Sequence, residues 1–298
     1  MTNWSLLIGF GIIDGAIFAV ASVGFTMQFG ITRVVNFAYG NFLTFGAYMA
    51  LVADESLHLN FWGALAVAAV STALASLLVG HLIFTPFARR RPQLLFILAV
   101  AFAMSLILAN VLLLIWGAQY RQLSYSSSGQ SAHSFGPFVV TSSQLLYLII
   151  AVVALLAIHT LLKYTKLGKM MRAMSDDFTL ATVCGLRTAR ITDAAWLITG
   201  GLAGVAGVIE AMQVRSFDPT LGSTFVYLII AAAVFGGIGR PYGAMVGAMV
   251  IGLATQLGVP LIGSAISPVV VFAALVVLMV VRPAGLFGPS GRAAFANE

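Results

Sequence analysis

Side chains that could carry chemistry are few and scattered along this 298-residue chain. There are nine carboxylates, one cysteine and four histidines, namely His58, His81, His133 and His159. No stretch matches the H-E-x-x-H zinc motif, Cys/His metal spacing, a Ser/His/Asp set or a phosphate-binding loop ending in Gly-Lys-Ser/Thr. The sequence therefore predicts no catalytic, metal or cofactor site, and any driving energy must come from an ion gradient or a partner.

One carboxylate, Asp14, falls inside an apolar stretch, and Glu210 falls near the end of another. A charged carboxylate at the centre of a bilayer costs roughly 2.5–3.5 kcal/mol on insertion scales. Asp14 must therefore face protein or water. It is either a proton-relay or ion-coupling residue, or a carboxylate paired within a helix bundle.

Uncharged polar side chains cluster near the N-terminal part of the chain, around Gly30, Gly40 and Gly46. They are Gln28, Asn36, Asn41 and Thr44. Amides and hydroxyls in apolar helices can hydrogen-bond a polar solute, and they can equally bridge neighbouring helices. The residue types leave both interpretations open.

A short polar-to-apolar pattern at residues 175–185 predicts a helix of two turns. Ser175 or Asp176 suits the N-cap, Asp177 suits the first turn and Gly185 suits the C′ position. So short a helix is unstable alone in water, and its apolar residues need a covering surface. These residues are Phe178, Leu180, Ala181 and Val183. We expect either a helix packed on its own protein or a docking helix, with Cys184 as a small buried residue.

The composition indicates whether the helices that carry these residues lie in water or in lipid. Apolar residues make up 60% of the chain and charged residues 8%, with a mean hydropathy of +1.03. A soluble enzyme or nucleic-acid-binding domain would carry about a quarter charged residues, so the surroundings must be lipid. We predict an all-α, polytopic transmembrane helical bundle forming a single domain over residues 1–298, with about nine spans and a range of eight to ten. The spans are Leu6–Phe29, Asn36–Ala53, Trp62–Thr85, Leu94–Trp116, Gln144–Leu162, Ala194–Gln213, Thr224–Gly237, Tyr242–Val259 and Ile266–Val281.

The distribution of basic residues predicts the orientation. With these spans, 13 of the 15 Lys and Arg residues fall on one side, and Arg121 and Arg215 fall on the other. Because cytoplasmic loops carry the excess of Lys and Arg, we expect the N-terminus outside and the C-terminus in the cytoplasm. Residues 117–143 then form a periplasmic loop with a Gly136-Pro137 turn, and 163–193 form a cytoplasmic segment. The first span lacks a preceding cation and a cleavage site, so we expect it to be retained.

Glycines recur at intervals of four residues in two places. They are Gly200 and Gly204 in one, and Gly239, Gly243 and Gly247 in the other. Such spacing lets helix backbones approach closely, so we expect these glycines to pack helices together. A faint echo relates residues 29–33 to residues 235–240, both at turns on the inner side.

Three motifs together resemble the permease subunits of branched-chain amino-acid ABC importers, over nearly the whole chain. The first is Val35-Asn36-Phe37-Ala38-Tyr39-Gly40 followed by Gly46-Ala47-Tyr48. The second runs from Gly168 through Arg172-Ala173, Asp177, Ala181 and Gly185 to the glycine-rich stretch 200–207. The third is Phe235-Gly236-Gly237-Ile238-Gly239 with Gly243, Ala244 and Gly247.

This resemblance implies a transport subunit of the bacterial or archaeal inner membrane, working by alternating access. It implies a second permease subunit, identical or related, two ABC ATPase subunits in the cytoplasm, a periplasmic solute-binding protein, and no nucleic acid. By motif position, the substrate pathway would include Gln28, Asn36, Tyr39, Asn41 and Thr44. The ATPase-coupling region would include Arg172, Asp176, Asp177, Phe178, Leu180, Ala181 and Gly185.

The chain departs from the family pattern in the first motif. The family usually has His-Gly-Glu where this chain has Tyr39-Gly40-Asn41, so both ionisable groups are replaced. The implied solute is a branched-chain or other amino acid, or a related amide or organic acid. Two rival functions stay open from the residues alone: a stand-alone ion-coupled transporter or channel, supported by Asp14, and a membrane-embedded enzyme or scaffold.

Overall fold

The chain folds almost entirely into helices. The computed structural model describes residues 4–90, 94–127, 132–135, 138–263, 267–282 and 285–287. The helices are α1 Trp4–Thr32, α2 Tyr39–Glu55, α3 Phe61–Val79, α4 Thr85–Arg90, α5 Leu94–Trp116, α6 Ser142–Tyr164, α7 Lys166–Asp176, α8 Phe178–Val183, α9 Thr188–Val214, α10 Leu221–Gly236, α11 Pro241–Ile262 and α12 Ser267–Val281. A π-helical turn, Gly80–Phe84, joins α3 to α4, and a 3₁₀ turn covers Ser124–Ser127.

Helix length and apolarity identify a multi-pass membrane protein. Within the described ranges, six helical stretches are long and apolar enough to cross a bilayer: Leu6–Thr32, Phe61–Phe87, Leu95–Trp116, Ser142–Tyr164, Thr188–Val214 and Pro241–Pro260. The apolar stretches Leu221–Gly236 and Val271–Val281 are shorter, and α2 has 17 residues. Each predicted span therefore coincides with a helix, whereas the number of crossings and the orientation stay predictions.

Helix α1 lies at the centre of the bundle, in contact with α9, α10 and α11. Its middle is fully enclosed, with Val20 and Val23 both 0% exposed. Glycines bring α11 close to it: a Cβ on Gly252 would lie 2.7 Å from the Gly11 carbonyl oxygen and would meet the backbone of Gly15. Because the backbones touch, α1 is held in one register against α11.

The two ends of the bundle differ in their structure. The end that carries α7 and α8, called the α8 end, also holds Arg33, Arg172 and Arg240. The other end, called the hairpin end, carries an antiparallel pair of strands, β1 Ala132–Phe135 and β2 Phe138–Thr141. Arg121 belongs to the hairpin end, where its backbone pairs with that of Phe217.

Three predicted boundaries need correction. The loop 117–143 contains the β1–β2 hairpin, which an all-α prediction does not include; its predicted turn, Gly136-Pro137, lies outside the described residues. Helix α2 begins at Tyr39, so Asn36 belongs to a non-helical segment at 33–38 instead of a span. The third predicted span does not end at Thr85. Helix α3 continues through the π turn at Gly80–Phe84 into α4, which begins at Thr85 and ends at Arg90.

Tight packing accompanies the π turn. Gly80 lies directly against Trp196 of α9, so a Cβ at this position would meet the indole ring. Phe84 packs on the same ring, with 5.1 Å between the ring centroids. The Thr85 hydroxyl donates to the Gly80 carbonyl at 2.9 Å. The extra residue in the turn thus coincides with the place where α9 contributes its largest side chain.

Candidate functional site

The predicted coupling region consists of two helices, α7 and α8, that are separated by the single residue Asp177. We call residues 166–183 the α7–α8 elbow. Helix α7 is capped by Thr165, whose hydroxyl accepts from the Gly168 N–H at 2.9 Å. Asp177 separates the helices and caps α8, since its carboxylate accepts from the Leu180 N–H at 2.9 Å. The N-cap is therefore Asp177 and not Ser175 or Asp176, which both lie in α7. After α8, Gly185 adopts φ +80°, a conformation that favours glycine.

Helix α8 exposes most of its apolar side chains. Ala181 is 4% exposed and anchors the helix, but Phe178 is 48%, Leu180 59% and Val183 80% exposed. Cys184 is also exposed, which corrects the expectation that it is buried. The alternative that α8 is covered by its own protein is wrong for this face. Arg172, Asp176 and Asp177 are exposed beside it.

Two cavities open at the α8 end. One, of about 270 Å³, lies between Phe178, Trp196, Phe84 and the end of α1. The other, of about 340 Å³, lies between α7 and the turn before α11, and is lined by Arg172, Asp176, Arg240 and Tyr242. In the first cavity, His81 Nδ1 is 3.5 Å from Asp193 Oδ1. The two cavities lie between the α7–α8 elbow and the centre of the bundle, and part of the elbow stays in contact with the bundle.

The five predicted pathway residues are all buried, each at most 2% exposed. They are Gln28, Asn36, Tyr39, Asn41 and Thr44. Asn36 joins two structural elements: its amide donates to Gln28 Oε1 of α1 at 3.3 Å, and its own Oδ1 accepts from the Ala38 N–H at 3.0 Å. The second of these bonds shapes the turn that leads into α2.

The other three pathway residues bridge helices. Asn41 Nδ2 donates to the carbonyl and the hydroxyl of Ser105 in α5, both at 2.9 Å. The Thr44 hydroxyl accepts from the Gly222 N–H at 2.8 Å, and the Tyr39 hydroxyl donates to the Thr199 carbonyl at 3.4 Å. Sequence analysis missed Ser105, whose only signal is a hydroxyl inside an otherwise apolar helix.

Two atoms of this group keep unused hydrogen-bonding capacity. Within the described part of the chain, Gln28 Nε2 and Asn41 Oδ1 are buried without a hydrogen-bond partner. Buried polar atoms in native proteins are nearly always paired with protein or water. A donor and an acceptor, neither carrying a charge, are therefore available to a neutral polar group.

Asp14 ties three helices together. Its Oδ1 accepts from Gln213 Nε2 of α9 at 3.1 Å, and its Oδ2 accepts from Gln256 Nε2 of α11. Glu210 of α9 is buried, at 3% exposed. The neighbours of Asp14 are thus amides on adjacent helices, and sequence analysis did not identify Gln213 or Gln256.

The glycines predicted to pack helices fall into two groups. A Cβ on Gly200 would lie 2.8 Å from Ser76 Oγ, and one on Gly204 would lie 2.7 Å from the Ala68 carbonyl oxygen, both in α3. In α11, Gly243 and Gly247 lie against Gly236 of α10. Gly239 differs, because it precedes α11 and adopts φ +86°. It is a turn glycine, and the expected four-residue series begins only at Gly243.

The described residues hold no cluster of side chains of the kind that binds a metal ion. Among them, no three His, Cys, Asp or Glu side chains come together as a metal site would require. The structure thus describes a multi-pass helical membrane protein with a row of buried amides and, at one end, a short helix whose apolar face is exposed.

Comparison with known proteins identifies the family. The model of the permease component of branched-chain amino acid transport systems matches residues 7–281. The chain belongs to this family.

Individual relatives are similar over nearly the whole of this chain. The high-affinity branched-chain amino acid permease protein LivH of Salmonella typhimurium is 28% identical, covering 93% of this chain and 93% of LivH. BraD of Pseudomonas aeruginosa is 26% identical, covering 93% and 94%. LivM of Escherichia coli is 24% identical, covering 95% of this chain and 71% of LivM.

Proposed function

We propose that this chain is the membrane-spanning subunit of an ATP-binding-cassette importer that moves a small polar solute across the inner or plasma membrane. ATP is hydrolysed in separate subunits on the cytoplasmic side. The observation that carries the proposal is the exposed apolar face of α8, formed by Phe178, Leu180 and Val183.

The physical reason is the instability of that face in water. Fully burying a Leu, Val or Phe side chain is worth about 1.5–3 kcal/mol, so covering three half-exposed ones stabilises a complex by a few kcal/mol at most. A helix of six residues cannot persist on its own propensity. A groove on an ATPase subunit supplies the missing surface, and the lack of a phosphate-binding loop in this chain agrees with that division of labour.

The nature of the solute follows from the buried amides. Gln28 Nε2 and Asn41 Oδ1 offer one donor and one acceptor without charge. The names of LivH and BraD support a branched-chain amino acid, whereas Tyr39 and Asn41 favour a solute that needs no titrating group. A related amide or organic acid is the remaining choice within the same class of small polar solutes.

The assembly contains a second permease subunit and a periplasmic solute-binding protein. Similarity to both LivH and LivM supports a partner of the same fold, identical or related. Transport proceeds by alternating access. When the ATPase subunits close, α8 moves with them, and the buried amides become accessible from the opposite side of the membrane.

One purification tests this proposal. The tagged chain is extracted from its native membrane in a mild detergent, and the proteins that accompany it are identified by mass spectrometry. An ABC ATPase in stoichiometric amount supports the importer, and a second permease sequence distinguishes a heterodimer from a homodimer. A stable monomer or dimer without an ATPase contradicts it.

The ion-coupled transporter stays as a second candidate because of Asp14 and Glu210. Carboxylates inside a bundle are typical of ion pathways. Asp14, however, has both oxygens engaged by Gln213 and Gln256, as a carboxylate that ties helices together would. We therefore favour the importer.

A further inference from the structure

Arg33 has an unusual backbone at the point where α1 ends. Its φ is +56°, a left-handed conformation that few residues other than glycine adopt. This conformation turns the chain out of α1 into the non-helical segment 33–38, which carries Asn36. A glycine would make the same turn more easily, so the arginine side chain needs a reason of its own.

The Arg33 guanidinium reaches the coupling region. It donates to the Ser175 carbonyl, in the last turn of α7, across 142 positions of sequence. The last carbonyls of a helix lack partners within the helix and attract cations. The Gly30 backbone also lies close to the Ser175 side chain, since a Cβ on Gly30 would be 2.7 Å from Ser175 Oγ. The end of α1 and the α7–α8 elbow are thus joined at two neighbouring points.

From Arg33, contacts continue to the buried amides. The Thr32 hydroxyl donates to the Gln28 carbonyl at 2.8 Å and accepts from the Val34 N–H at 3.4 Å. Gln28 then accepts from Asn36. Ile31, between these residues, lines both cavities of the α8 end. A short series of hydrogen bonds and covalent bonds therefore connects the Ser175 carbonyl to Gln28, one of the residues proposed to meet the solute.

We propose that Arg33 is the positioning residue that fastens the α7–α8 elbow to segment 33–38, so that movement of α8 is passed to Gln28 and Asn36. The inference rests on the proposed function, because it requires α8 to be moved by an ATPase. Without the guanidinium, the contact of Gly30 with Ser175 remains between the two cavities, and we expect the elbow then to move without carrying the amides with it.

The test uses two thiol reporters in the purified complex of permease and ATPase subunits. The native Cys184, exposed beside α8, reports docking of the ATPase through its rate of maleimide labelling. Val35→Cys, in a Cys184→Ser background, reports movement of segment 33–38. Both are measured without nucleotide and after trapping with ATP and vanadate, which needs no knowledge of the solute.

The variants are chosen to remove the contact and nothing else. Arg33→Gly removes the guanidinium while permitting the left-handed backbone, and Arg33→Lys keeps a cation able to donate to the Ser175 carbonyl. Lys163→Ala removes a different cation from the α8 end as a control, since Lys163 lies over the Tyr164 ring. We expect nucleotide trapping to change Val35→Cys labelling at least fivefold with Arg33 or in the control, less with Lys, and not at all with Gly.

The two reporters separate the possible failures. Protection of Cys184 by the ATPase in every variant, with a Val35→Cys response lost only in Arg33→Gly, supports the inference. The same Cys184 protection with an unchanged Val35→Cys response in Arg33→Gly overturns the inference and leaves the importer intact. Absence of Cys184 protection even with Arg33 present contradicts the proposed function itself.

Discussion

The hairpin end and the α8 end of this bundle satisfy their polar and apolar groups in different ways. At the hairpin end, Asp54 accepts from the Ser124 N–H at 2.8 Å, Tyr125 donates to the Leu59 carbonyl, and a cavity beside Gln213 measures only about 80 Å³. At the α8 end, the two cavities measure about 270 and 340 Å³. Among the described residues, the hairpin end is closed by hydrogen bonds within the chain, and the α8 end keeps two larger cavities open.

This difference indicates which end of the bundle we expect to depend on partner subunits. A closed end should be sensitive to changes in packing and insensitive to the presence of other subunits. An open end should tolerate changes in packing and fail when its exposed apolar residues are replaced. Four experiments test that contrast, ordered by the size of effect that we expect.

Phe178→Asp should have the largest effect. It introduces a carboxylate into the face proposed to dock, and loss of a central apolar anchor costs about 2–4 kcal/mol, or roughly 30- to 1000-fold in affinity. We expect ATP-driven uptake to fall to background while the amount inserted in the membrane is unchanged. Phe178→Leu, which keeps an apolar side chain, serves as the control. Unchanged uptake by the aspartate variant would remove α8 from the mechanism.

Two glycine substitutions compare the packing of the ends directly. Gly252→Ala forces a Cβ into the α1 backbone, 2.7 Å from the Gly11 carbonyl oxygen, and overpacking of this kind costs about 1–3 kcal/mol. Gly185→Ala meets open space and suffers only from its φ of +80°, at about 1 kcal/mol. Melting temperatures of the two variants in one detergent give the comparison. A larger loss for Gly185→Ala would mean that the closed end is not the tighter one.

Asp14→Asn should have a small effect on transport. An asparagine keeps one acceptor for Gln213 or Gln256 and loses the other, which lowers the free energy of unfolding by about 0.5–1.5 kcal/mol. We expect initial uptake rates within about twofold of the native protein. Complete loss of uptake at a normal protein level would instead favour the ion-coupled transporter.

The smallest effect concerns Tyr125 in the loop of the hairpin end. Partial burial, followed by the charge of Asp54, raises the pKa of the Tyr125 hydroxyl above its usual 10.0. Because the folded pKa lies above the unfolded one, the stabilisation is complete below pH 10 and is lost as pH rises through the folded value. Absorbance titration against a Tyr125→Phe reference should show Asp54→Asn lowering this pKa. No change would mean that burial alone is responsible.

Much of the helical architecture could be predicted from apolar runs, because a bilayer requires about 20 apolar residues per crossing whatever the tertiary contacts. A short helix before Gly185 could also be predicted, although its N-cap was expected at Ser175 or Asp176 and is Asp177. The hairpin could not, since β1 reads Ala-His-Ser-Phe and lacks an alternating pattern. Gly239 was misassigned because four-residue spacing does not reveal where a helix begins.

The contacts of the candidate site were beyond sequence reasoning for a different reason. Asn41 and Ser105 are 64 positions apart, and Arg33 and Ser175 are 142 apart. Which side chains meet across such distances depends on the rotation and depth of each helix. An apolar pattern gives little information on rotation when a helix is apolar on all sides. Residue type therefore predicted polar candidates such as Gln28 and Asn36 but not their partners.

The π turn at Gly80–Phe84 has a consequence for comparing relatives of this chain. A π turn holds one residue more than an α turn and lies within an otherwise regular helix. Relatives whose third helix is uninterrupted should align with a one-residue gap at this point, and those that share the turn should not. Deleting one residue here would restore α-helical winding and leave the residues on either side on nearly the same faces, because the π turn already accommodates the extra residue within about one turn. The bulge therefore lets this span carry one residue more without reorienting the helix on either side of it.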